Sequence, residues 1–135
     1  MNTENYTSKI TFSSRDLSPL EQVKYRDLSN TLALDKELTD PDNNGRITLT
    51  PSLIFNVDVH NPKSKNSNDY SCTVIEDSET GMRYRTSSES FRSALTEILD
   101  GLKEVGIDPH TVPLAIYTVD SKNYQGKKFI TVSIA

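Results

Sequence analysis

A single cysteine, Cys72, excludes an intrachain disulfide and any zinc site built on cysteine pairs. Its place inside an apolar run predicts a small buried side chain on a strand. Long apolar runs are missing too, and none approaches the ~20 residues that span a bilayer as a helix. The opening stretch, MNTENYTSKITF, lacks the basic-then-apolar order of a secretion signal. The expectation is a soluble, cytoplasmic protein with no membrane partner. Hydrophobic residues make up only 34% of the 135 positions, and mean hydropathy is −0.55. That is one domain's length, enough for a real core, with a large share of polar loop or extension.

Catalytic signals are equally scarce. Asp58 and His60 share one face of a predicted strand, but no third metal ligand stands beside them. GLKEVG, residues 101–106, copies the glycine spacing of a phosphate loop. Ile107 and Asp108 then stand where lysine and a hydroxyl residue are required. The stretch also closes a helix, whereas phosphate cradles open one. The serines of TSSES have no G-x-S-x-G elbow around them, and helix capping accounts for them better. No enzyme activity, cofactor, metal or small-molecule substrate is expected.

What the chain does contain is regular. LSPLEQVKYR opens with Ser18, Pro19 and Glu21, a capping box with proline at the first helical position, and Leu20, Val23 and Leu28 give this helix an apolar face. TDPDNNGR, residues 39–46, is the densest turn cluster and marks the internal boundary. Beyond it the hydrophobic period becomes two. Leu53, Phe55, Val57 and Val59 alternate with Asn56, Asp58 and His60, and Pro51 marks a bend. YSCTVIED and MRYRT, joined by the turn SETG, read as a hairpin. Phe91, Ala94, Leu95, Ile98, Leu99, Leu102 and Val105 trace one stripe of a helix that Ser87 or Ser88 caps and Gly106 ends. VPLAIYTV and KFITVSI are two further strands.

From residue 46 the order is therefore β-β-β-α-β-β. The predicted class is mainly β with one central helix (α+β), a five-stranded Greek-key OB-fold barrel over residues 46–135. Residues 1–45 form an N-terminal extension with a short helix. This extension is expected to pack on the barrel or on a neighbouring copy, helping copies of the chain bind side by side.

Net charge is −4, which argues against a nucleic-acid partner until its distribution is considered. Residues 111–135 carry Lys122, Lys127 and Lys128 against Asp120 alone, a local +2, so the rest of the chain holds −6. An OB-fold seats its ligand across strands two and three, flanked by the first and last hairpin loops. Those loops are HNPKSKNSNDY and DSKNYQGKK, both containing Ser-Lys-Asn and both beside a tyrosine. Lys63, Lys65, Lys122, Lys127 and Lys128 can neutralise phosphates, and Asn123 can bond phosphate or sugar oxygens. Tyr70, Tyr84 and Tyr124 offer π-faces to unstacked bases. Arg83 and Arg85 flank Tyr84 on the third strand, so either the arginines or the tyrosine line the groove, not both. Inward Ile130, Val132 and Ile134 turn Phe129 outward, as another stacking candidate.

LSPLEQVKYRDLSNTLALDKE, VHNPKSKNSNDYS, TSSESF and SKNYQGKKFITVSI together resemble the small OB-fold single-stranded-DNA-binding proteins of Gram-positive phages and conjugative plasmids, the PrgE-like group. The resemblance runs from about residue 9 onward and is strongest in the last motif. It implies sequence-tolerant binding of single-stranded DNA, with RNA left open as the strand, in replication or conjugative transfer. It supports Lys63, Lys65 and Tyr70 in the first loop, and Lys122, Asn123, Tyr124, Lys127 and Lys128 in the last. The alternative is a protein-interaction module on the same barrel, a subunit or inhibitor encoded by a mobile element.

Overall fold

The computed structural model of the chain describes residues 7–60, 69–121 and 126–135. Its strands are β1 (Thr7–Ser13), β2 (Leu32–Ala33), β3 (Arg46–Leu49), β4 (Pro51–His60), β5 (Asp69–Asp77), β6 (Arg83–Thr86), β7 (Leu114–Asp120) and β8 (Lys128–Ile134). Its α-helices are α1 (Pro19–Arg26), α2 (Leu34–Glu37) and α3 (Glu89–Glu104). A large sheet has the order β1-β4-β5-β6-β2, and a small one the order β3-β7-β8. Among the described residues no helix is long and apolar enough to cross a membrane.

The chain is mixed α+β and mostly strand, as expected, but the two sheets do not close into a barrel. β3 and β4 are the two halves of the first predicted strand. Pro51 lacks the N–H that would continue a regular ladder, and the β4–β5 register shifts between Pro51 and Leu53. The first half pairs with β7 and the second with β5. Closure would require β6 to meet β8. Instead β6 gives its outer edge to β2, with Leu32 opposite Tyr84 and Ala33 opposite Arg85 in parallel.

Both sides of the large sheet carry core, but on one of them β4 contributes Ile54 alone before Asn56, Asp58 and His60 turn it polar. Between the sheets, Ile54 and Ile75 meet Leu114, Ile116, Ile130 and Val132, with Phe91 and Leu95 of α3 and Leu34 of α2. On the opposite face Leu53, Phe55, Val57, Val59 and Val74 lie under Tyr25, with Leu17 and Leu28 alongside. Residues 7–33 thus supply both edges of the large sheet and the cover of its outer face.

Both longer helices have the ends expected of them. The Ser18 hydroxyl accepts the Glu21 N–H at 3.1 Å, and the Glu21 carboxylate accepts the Ser18 N–H at 3.1 Å. Ser88 caps α3 by accepting the Phe91 N–H. Gly106 ends α3 at φ +76°, with its N–H on Lys103 O and the Ile107 N–H on Leu102 O. The left-handed turn needed there is open to glycine at no steric cost.

Candidate nucleic-acid interface

The small sheet has one face in the core and one toward solvent. Ile47, Leu114, Ile116, Ile130 and Val132 point inward, so the pleat turns Arg46, Tyr117, Val119, Phe129 and Thr131 the other way. Arg46 stands opposite Tyr117 on β7, and its guanidinium carbon lies 5.6 Å from the ring centre. On the other side Tyr117 faces Thr131, and Val119 faces Phe129. Tyr117 and Phe129 are therefore diagonal neighbours, a spacing of about 7–8 Å that two aromatic rings can bridge. Phe129 is 41% exposed, high for a phenylalanine.

The β7–β8 hairpin carries this face to the basic tip. The Ser121 N–H donates to Lys127 O at 2.8 Å and closes the turn. Gly126 sits at φ +79°, where a side chain would be strained. Lys127 and Lys128 are exposed, and Lys128 lies across the ladder from Asp120. Lys122, Asn123 and Tyr124, like Lys63 and Lys65 of the first loop, fall outside the described residues. The two loops leave opposite ends of the bent run 46–60: β7 overhangs Arg46 toward its tip, and His60 leads into the other loop.

The outer face of β5 and β6 is arranged differently. Arg83 and Arg85 do share it, and Tyr84 turns to the opposite side against the core between the sheets. Burial pushes the Tyr84 phenol's pKa up, with Asp77 and Glu37 adding to the rise. The arginines, however, face the N-terminal segment. Arg83 stacks on Tyr25, its guanidinium 5.1 Å from the ring centre, and its Nη1 is buried without a hydrogen-bond partner. Arg85 donates through Nη1 to the Thr31 carbonyl at 2.7 Å and hydroxyl at 3.0 Å. Uncovering them would expose Leu53, Phe55 and Val57, all at 0%. Each such side chain is stabilised by about 1.5–3 kcal/mol through burial. That face is closed. Tyr70 lies farther out on the same face, opposite Val59 and 40% exposed.

No family model, curated protein or solved structure matches the chain. The solvent face of the small sheet holds only part of the residue set expected from the sequence. Phe129 was expected there. Arg46 and Tyr117 were not, because they are 71 positions apart and meet only through the β3–β7 register. Asp58 and His60 share a face with Ser71, whose hydroxyl donates to Asp58 at 2.6 Å. Among the described residues no group of three or more His, Cys, Asp or Glu could hold a metal ion.

Proposed function

We propose that this chain binds single-stranded nucleic acid, DNA first, in phage or plasmid DNA replication or transfer, with the strand lying over the solvent face of the small sheet. The observation that carries the reading is the array of Arg46, Tyr117 and Phe129 running into the Lys127 and Lys128 tip. Two rings offer bases a platform that tolerates any sequence, and the cations beside them hold phosphates. Reading the fold as an opened OB-fold is supported by its strand neighbours: from residue 46 they match those of that barrel except between β6 and β8. Because the N-terminal segment covers strands two and three of that plan, the ligand shifts to strands four and five.

Self-association accompanies this binding. Leu20 and Val23, expected to pack inward, are instead 79% and 57% exposed and adjacent on α1. An apolar pair on the segment that covers the domain suits contact between neighbouring copies along a strand. Fluorescence anisotropy with labelled oligo-dT tests the reading. Binding that salt weakens and that Arg46→Glu abolishes is expected, and an unchanged signal at low salt would defeat it.

A further inference from the structure

The folded chain brings Ser14 to Asp108 and His110, a pair of near neighbours far along the sequence. Ser14 follows β1, and its hydroxyl lies 2.8 Å from Nε2 of His110, 96 positions along. Across the ring, Nδ1 lies 2.9 Å from Oδ1 of Asp108. With the ring neutral and protonated on Nδ1, that N–H donates to Asp108 while Nε2 accepts from the serine. This is the order of nucleophile, base and orienting carboxylate that acyl transfer uses. Both ends are held. Asp108 also accepts the His110 backbone N–H at 3.0 Å. Ser14 donates its N–H to Ile54 O at 2.7 Å, and its Oγ accepts the Ile54 N–H at 2.9 Å. That bond fixes where Oγ sits.

These residues stand at one end of a cleft between β1 and α3. Ser14 and Asp108 line its wider part, about 520 Å³, with Phe12, Leu99 and Ile107 as apolar walls and Lys103 beside them. Phe12, Leu99 and Asp100 also line a neighbouring pocket of about 320 Å³, together with Ile54, Leu95 and Arg92. Arg92 donates through Nε to the buried Thr73 hydroxyl at 3.3 Å, and its terminal nitrogens bond to no described residue. A half-buried guanidinium with open donors seats a carboxylate well.

We propose that this cleft hydrolyses small esters with an apolar acyl chain ending in a carboxylate. Ser14 is the nucleophile, His110 the general base, Asp108 the positioning residue and Arg92 the anion anchor. The Ser14 oxygen bonds to the ester carbon as its proton passes to His110 Nε2. The carbon–oxygen bond to the leaving group then breaks, and Nε2 returns the proton to the departing oxygen. Water repeats the cycle on the acyl-serine and releases the acid.

Ester hydrolysis in this cleft is independent of nucleic-acid binding and is tested separately. The full chain is treated with a fluorophosphonate probe, whose phosphorus–fluorine bond breaks as the serine oxygen bonds to phosphorus, and the labelled peptide is identified by mass spectrometry. Hydrolysis of p-nitrophenyl butyrate is compared with that of mono-p-nitrophenyl succinate. Label on Ser14 is expected. A positioned general base contributes roughly 10²–10⁴-fold, so His110→Gln should slow labelling at least ~100-fold with the fold retained. Arg92→Gln should lower the ratio of succinate-ester to butyrate-ester hydrolysis. Ser14→Ala also removes the acceptor of the Ile54 N–H, so the folded His110→Gln protein is the deciding variant. No label on Ser14 in the folded protein, or equal labelling rates in the wild type and His110→Gln, would overturn the proposal.

Discussion

Phe129 and Tyr117 show how far single residues can be read from sequence. The outward turn of Phe129 was legible because Ile130 and Val132 alternate with it and must face the core. The partnership of Tyr117 with Arg46 was not, since a strand's register against a distant strand leaves no periodic trace in either. If bases stack here, Phe129→Ala should lose roughly 1–3 kcal/mol of binding, about 5- to 150-fold in Kd for oligo-dT. Unfolding temperature should change less than for a core residue, because the ring is at the surface, and titration calorimetry alongside thermal unfolding separates the two effects. Glu21 gives a prediction about pH. Its hydrogen bond from Arg15, at 2.9 Å, and that from the Ser18 N–H hold its pKa down at about 2. A carboxylate depressed in the folded state stabilises it above the unfolded value near 4.5 and loses that contribution as pH falls toward 2. Glu21→Gln should therefore lower the unfolding temperature modestly at pH 7, and the gap from wild type should narrow on acidification to pH 2.

Elements with strong local chemistry were the most readable. The capping box of α1, the stripe and glycine stop of α3, and the break at Pro51 all follow from short-range rules. β2 does not. Two residues, Leu32 and Ala33, show no alternation, yet by pairing with β6 they occupy the edge that a closed barrel would give to β8. The N-terminal segment was harder for a related reason. Its burying residues, Leu17, Tyr25 and Leu28, are spread over α1 and its flanks, while the more obvious apolar pair on α1 faces solvent. That pair carries the element-scale prediction. Leu20→Asp with Val23→Asp should leave affinity for a short oligonucleotide unchanged and reduce cooperativity on a long one. Equal cooperativity in gel-shift titrations of both proteins would remove α1 from the contact between copies.

For the whole molecule, the difficulty of the proposed function is charge: it asks an acidic chain to hold a polyanion. The small sheet offers a local answer, with Arg46 on its solvent face, Lys127 at the hairpin end and most acidic residues elsewhere on the chain. Counterion release then gives a countable consequence. Each phosphate neutralised on a single strand contributes a slope of about −0.7 in log affinity against log salt, so about three contacts predict roughly −2. The decisive measurement is anisotropy of fluorescein-labelled oligo-dT titrated with wild type and with Arg46→Ala at several salt concentrations. The account predicts a wild-type slope near −2, with the variant weaker and its slope shallower by about 0.7. No binding at low salt, or binding whose strength and slope ignore Arg46, would contradict it.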